Sequence, residues 1–232
     1  MNTIYEWNLT FSEAVELQKK LALRVSHANG VHDPSSIAGV DISVKRDRKT
    51  AIAGAVLLEY PSLEPVECQT AEGEMSFPYI PGLLSFREIP LTMAAVEKLS
   101  VTPDLIIVDG QGIAHPRRFG LASHLGLLLD IPTIGCAKSR LCGRYTEPDI
   151  EPGGYSLLTD KDETIGAVLR TKRGVKPVFV SVGHRVDLTG AIHWILNCCH
   201  GYRLPEPSRL AHLTAGGNPV LEKKTAAGAE RK

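Results

Sequence analysis

The chain of 232 residues predicts an α/β fold: a mixed sheet that opens with a three-strand antiparallel meander, continues through α/β units and carries helices on both faces. Three observations predict it. Strand-like runs with short polar connections come first. Helix-like and strand-like patterns alternate after Pro90. The run Leu105–Val108 is continuously apolar, as in a strand covered on both sides.

In chain order, Thr10 and Glu13 form a capping box, and Ala14, Leu17, Leu21, Val25 and Ala28 follow at helical spacing up to Gly30. In IAGVDISV the period falls to two. Ala38, Val40, Ile42 and Val44 share one face, while Gly39, Asp41, Ser43 and Lys45 share the other. A charged turn, KRDRKT, leads into AIAGAVLLEY, and PSLEP turns the chain into VECQTAEGEM. Pro90 suits the first turn of a helix carrying Leu91, Ala95 and Leu99, which leaves Glu88 just before that helix. PDLIIVDG then reads as a strand, GLASHLGLLLD as a helix, PTIGCAKS and KPVFVSVG as strands, and DLTGAIHWILNCC as a helix. RLPEPSRLAH offers one more proline-stiffened helix start. Residues 1–214 form a single domain on this reading, and the tail 215–232, rich in Gly, Ala and Lys, is expected to be disordered.

Composition narrows the function classes. Acidic and basic residues balance at 26 each, which argues against a strongly basic nucleic-acid binder. The balance is local, however. Between Gly110 and Tyr145 lie Arg117, Arg118, Lys138, Arg140 and Arg144 against the single acid Asp130, so this segment is either a polyanion-binding surface or a solvated basic face. No apolar run approaches the ~20 residues of a membrane span, and the first residues lack the features of a signal peptide. Five cysteines without a C-x-x-C pair suggest neither a disulfide framework nor a zinc site, and a cytoplasmic setting is the simplest. The sequence contains no G-x-S-x-G, P-loop or Rossmann fingerprint, and its 6% aromatic content suits a glycosidase groove poorly.

Three carboxylates stand out by position. Asp109 ends the buried strand, where open α/β sheets usually bind ligands. Asp41 lies on the less apolar face of the first strand, and a meander followed by a strand-helix unit can bring the first and fourth strands side by side. Glu88 completes a possible trio. Such a cluster repels itself unless a cation compensates, and Mg²⁺ prefers oxygen ligands. The alternative is a surface Asp at a strand end and an exposed Glu at a helix start. Pro78 and Pro81 stiffen the backbone around Tyr79 and Ile80, so the ring either closes the core or is held out as a tool. His115 can orient a water, contact a phosphate or simply be a hydrogen-bonded structural residue. Lys138 ends a strand, where its ammonium could reach a phosphate, and His212 lies a few residues inside the last helix start.

The stretches AGVDIS, YPSLEPVE, PYIPGLLSFRE, PDLIIVDGQGIAHPRRFGLASHLG, PTIGCAKSRLCG, GHRV and GYRLPEPSRLAH together make the chain closely resemble endonuclease V, the deoxyinosine 3′ endonuclease family. The resemblance implies a ribonuclease H-like fold and Mg²⁺-dependent cleavage, with Mn²⁺ able to substitute, at the second phosphodiester bond 3′ to a deaminated base. The nick leaves a 3′-hydroxyl and a 5′-phosphate. Carried over, Asp41, Glu88 and Asp109 are the metal ligands and Tyr79 is the wedge tyrosine. His115, Lys138 and His212 match polar positions near the cleaved strand; His212 stands where some family members carry Asp. The expected partner is DNA containing deoxyinosine or another deaminated base, with inosine-containing RNA as a second substrate, acted on by a monomer. Gly110, Gly112, Gly120 and Ser123 are the expected base-pocket positions, and Pro78, Ile80, Pro81, Arg117 and Arg118 further substrate contacts. Two rivals remain on sequence alone: another ribonuclease H-like nuclease without base selectivity, and a catalytically silent nucleic-acid-binding module.

Overall fold

A computed structural model describes residues 7–221. One eight-stranded sheet organises it. The meander is β1 (Ser36–Val44), β2 (Thr50–Glu59) and β3 (Pro65–Glu74); the later strands are β4 (Leu105–Val108), β5 (Thr133–Ala137), β6 (Tyr155–Asp160), β7 (Glu163–Leu169) and β8 (Val178–His184). Their order across the sheet is β3-β2-β1-β4-β5-β8-β7-β6. The pairs β1–β4 and β4–β5 are parallel and all others antiparallel, which gives the mixed sheet expected from the sequence.

Helices cover both faces. α2 (Leu84–Val96) and α3 (Leu121–Leu129) pack Ile89, Met93, Ala122 and Leu125 against Ala38, Val40, Ile106 and Val108. On the other face, α4 (Leu188–Asn197) and α5 (Glu206–Ala215) bring Ile195, Leu210 and Ala211 against Ile37, Leu58, Leu105 and Ile107. The alternation read in β1 therefore separates two cores, and Asp41 falls on the α5 side. α1 (Phe11–Ala22) begins at the predicted capping box, with Thr10 accepting from the Glu13 backbone. Among the described residues no helix is long and apolar enough to cross a membrane.

Three boundaries and one hairpin differ from the sequence reading. α1 stops at Ala22, short of Val25 and Ala28, because the chain leaves the helix to bond Ser26 N–H to His184 Nδ1 at 3.2 Å. α2 begins before Pro90, so the proline lies inside the helix and Glu88 in its second turn. The missing N–H is tolerated there because Phe86, Ile89, Met93 and Val96 bury that face regardless. The β6–β7 hairpin has no counterpart in the sequence reading. Its turn residues Lys161 and Asp162 take φ of 52° and 65°, a conformation usually signalled by Asn or Gly. In its first strand only Leu158 is buried, which leaves little apolar alternation to read. Finally, α5 runs through Ala215, which is buried, so the expected boundary at 215 falls inside a packed helix. Residues 222–232 of the expected tail lie outside the described residues.

The seat of α5 depends on two glycines. A Cβ on Gly39 would lie 1.9 Å from the Pro207 carbonyl oxygen, and one on Gly54 2.7 Å from the Ala215 nitrogen. Both contacts are to backbone, which cannot rotate away. Gly39→Ala is therefore expected to lift α5 from the sheet at a cost of about 3 kcal/mol or more. Thermal unfolding should show a fall in Tm of roughly 6–12 °C.

Candidate active site

The parallel pairing of β1 with β4 places Val40 opposite Val108, and the Asp109 N–H donates to the Val40 carbonyl at 3.1 Å. The next residue of each strand is an aspartate, so Asp41 and Asp109 emerge side by side. α5 adds the third member: His212 Nδ1 lies 2.7 Å from Asp41 Oδ2. Ligand-type atoms of Asp41, Asp109 and His212 all lie within 4.8 Å of one another. Lys138, one residue past β5, makes an ion pair with Asp109.

Glu88 approaches from α2 and is buried. Loss of water, then the neighbouring Asp41 charge, push its carboxyl up to about 8, with Arg87 opposing. Burial and then Asp109 likewise raise Asp41 above the usual carboxylate range. Acids driven toward their neutral forms lack positive charge, and the donors present are carboxylate oxygens with one imidazole. That set fits a hard divalent cation such as Mg²⁺. His212, which sequence reasoning could place only by resemblance, belongs to the tight cluster; Glu88 is coupled to it electrostatically and does not share its mutual 4.8 Å spacing.

A pocket of about 410 Å³ opens beside the cluster. Glu88, Asp109, Gly110, His115, Gly120 and Lys138 line it, together with Tyr79, Ile80 and Pro81. Tyr79 is 72% exposed, so it does not close the core. Leu84 and Leu141, also exposed, stand with it among the pocket residues. Neither carried a sequence signal. His115 is buried, and burial followed by Arg117 holds its imidazole down at about 4; its Nδ1 accepts the Arg117 N–H at 3.1 Å. At neutral pH it is an uncharged, positioned ring. Gln111 extends the lining unforeseen, donating to the Ser139 carbonyl at 2.9 Å.

Five expected contact residues lie elsewhere. The Gly112 N–H donates to Ser181 Oγ at 2.9 Å, inside the sheet, and Ser123 is fully buried in α3. Arg118 is engaged by Asp160 at 3.0 Å and Glu163 at 2.7 Å, tying its loop to the β6–β7 hairpin. Arg117 holds Gln18 and, at 2.6 Å, the Gly82 carbonyl. Pro78 is exposed and does not line the pocket. Charge counting cannot reveal that an arginine has a structural partner. The Gly120 N–H is likewise engaged, by the Gly112 carbonyl at 3.0 Å, so Gly120 offers the pocket a close surface and no donor.

The model of the endonuclease V family matches residues 17–213. An endonuclease V of Dehalococcoides mccartyi is 51% identical over 212 residues, covering 91% of this chain and 95% of that one. The crystal structure of an endonuclease V from Streptomyces avermitilis is similar at a TM-score of 0.87 and 45% identity, covering 91% of this chain and 93% of that one. Endonuclease V of Ciona intestinalis, solved with a 24mer DNA containing an inosine followed by a ribo-adenosine, gives a TM-score of 0.76 at 27% identity, covering 89% and 96%.

Glu88 makes the metal-free protein's stability depend on pH. The unfolded chain releases this proton near 4.5, whereas the folded chain keeps it to about 8. Between these values the folded state binds more protons, so stability falls as pH rises through the window. The loss is on the order of 3–5 kcal/mol by pH 8. Glu88→Gln should flatten it, and urea unfolding with a chelator at both ends of the window checks this.

Proposed function

The chain belongs to the endonuclease V family, and on that premise we propose that it is a Mg²⁺-dependent repair endonuclease acting on DNA with deaminated bases. The principal substrate is deoxyinosine, with inosine-containing RNA as a second class and Mn²⁺ as a substitute metal. The nick falls at the second phosphodiester bond 3′ to the lesion, leaving 3′-hydroxyl and 5′-phosphate ends, and the enzyme acts as a cytoplasmic monomer. The observation that carries this reading is the cluster of Asp41, Asp109 and His212 within 4.8 Å, beside a pocket that includes an exposed tyrosine.

Asp41, Asp109 and Glu88 are the residues that would hold the cation, with His212 beside them. A divalent cation supplies polarisation of the phosphodiester and a more acidic water. The remaining steps belong to the chain. Tyr79, held between Pro78 and Pro81 and clear of the core, fills the gap left when the damaged base turns out of its stack. The extruded hypoxanthine enters the pocket over Gly110 and Gly120. It presents O6, where adenine has an amino donor, and backbone N–H groups near Gly110 can meet that acceptor. Neutral His115 fixes the pocket wall without adding charge. Lys138 is placed to exchange its Asp109 partner for the phosphate of the cleaved strand.

Cleavage of an inosine-containing oligonucleotide with and without Mg²⁺ tests the reading directly. Asp109→Asn keeps the shape and removes charge, so cleavage should collapse while DNA binding survives; near-normal turnover would remove Asp109 from the site. Asp41→Asn and Glu88→Gln should behave alike, and double variants should be little worse than single ones because the group acts as a unit.

Tyr79 gives a separate test. Stacking of a base on an aromatic ring is worth roughly 1–3 kcal/mol, so Tyr79→Ala should slow single-turnover cleavage about ten- to a hundred-fold. Tyr79→Phe keeps the ring face and should lose much less. Since the ring is 72% exposed, Tm should hardly move. A Tyr79→Ala protein that cuts at the normal rate would end the wedge role.

A further inference from the structure

We propose that a second groove, next to the carboxylate cluster, seats the nucleotides on the 3′ side of the nick as an extended single strand held by its phosphates. This rests on the function proposed above and adds the path of the strand beyond the cut. The groove has a volume of about 750 Å³ and includes Arg140, Tyr145, Lys176 and Arg203 in its lining. Lys138, Ser139 and Arg140 line both this groove and the Tyr79 pocket, so one leads directly into the other.

Charge identifies the occupant. Lys138, Arg140, Lys176 and Arg203 face the groove against one acid, Glu147; Lys138 is paired with Asp109 and Glu147 with Arg170 at 2.7 Å, which leaves Arg140, Lys176 and Arg203 as the excess. In a chain of zero net charge, that is a concentrated local excess. Arg203 is fixed in place: it donates to the carbonyls of Lys138 at 2.6 Å, Pro177 at 2.9 Å and Lys176 at 2.8 Å. Those bonds use Nε and Nη2 and none uses Nη1, so the guanidinium bridges the end of β5 and the approach to β8 with donors to spare. Tyr145 is braced by Phe179, ring centroids 5.6 Å apart, and Arg140 lies 5.7 Å from the Tyr145 ring. Fixed cations beside an aromatic surface are what a sequence-tolerant single-strand channel requires.

Direction follows from the two sites already placed. With the extruded base in the pocket over Gly110 and Gly120 and the scissile phosphate at Lys138 and the carboxylates, the strand beyond the cut leaves past Lys138. The groove lies there. Phosphate contacts in it fix register and carry little base information.

The test compares two inosine-containing single strands, one ending a single nucleotide beyond the nick and one carrying a 3′ arm of about eight nucleotides. Binding to the full chain is followed by fluorescence anisotropy with a chelator present. One phosphate contact is worth about fivefold at ~0.1 M salt, so the long arm should bind at least that much more tightly. Lys176→Glu should erase most of the gain and lower the salt slope by about 0.7, whereas Lys98→Glu, by β3 at the opposite edge of the sheet, should keep it. Lys176 is exposed, and an unchanged Tm for the variant confirms that it folds. No arm-length gain in the wild type, a full gain in Lys176→Glu, or an equal loss in Lys98→Glu would each overturn the proposal. Cleavage of the same strands in Mg²⁺ judges the parent reading separately: a protein that cuts both arms but gains no affinity from the longer one refutes the groove alone.

Discussion

Two aspartates side by side, largely removed from water, repel one another, and the site is built around that repulsion. The parallel pairing of β1 with β4 imposes the proximity, because Val40 and Val108 are in register and each is followed by an aspartate. Three side chains act as compensation. Lys138 pairs with Asp109, His212 with Asp41, and Arg87 acts on Glu88, yet Glu88 still holds its proton to about 8. The incomplete neutralisation favours a divalent cation, since binding one relieves repulsion that the fold enforces.

Around this charged centre the protein is stiff by several independent means. The prolines flanking Tyr79 restrict its backbone, and Gln18 links α1 to the Phe119 and Gly82 carbonyls at 2.7 and 3.0 Å. Arg117 reinforces the same junction. The cations that sequence reading assigned to one strip thus divide by partner. Arg118 and Arg117 hold loops together, while Lys138 and Arg140 remain at the pocket and the groove beyond it.

Much of this was legible in the sequence. The capping box at Thr10, the period-two face of β1 and the aspartate ending an apolar run each reflect local rules, and each holds in the structure. What escaped depends on tertiary contact. Pro90 looked like a helix start because its cost inside a helix is local, whereas the packing of Ile89 and Met93 that offsets the cost is not. The β6–β7 hairpin hid behind a Lys-Asp turn and an edge strand with a single buried residue, Leu158. Gly112 and Ser123 share a segment with Gly110 and Gly120, which line the pocket, but only the fold shows that the first two turn into the sheet and helix.

The docking of α5 onto Gly39 and Gly54 has a consequence for how the protein comes into being. His212 joins Asp41 across 171 positions of sequence, so the cluster unites β1 and α5, the first strand and the last helix among the described residues. During synthesis the sheet residues that carry Asp41 and Asp109 emerge long before α5 does. No fragment ending ahead of that helix can present the complete cluster, however well its sheet has formed. The cluster of Asp41, Asp109 and His212 therefore forms only once α5 has been made and has docked on the sheet that carries the two aspartates.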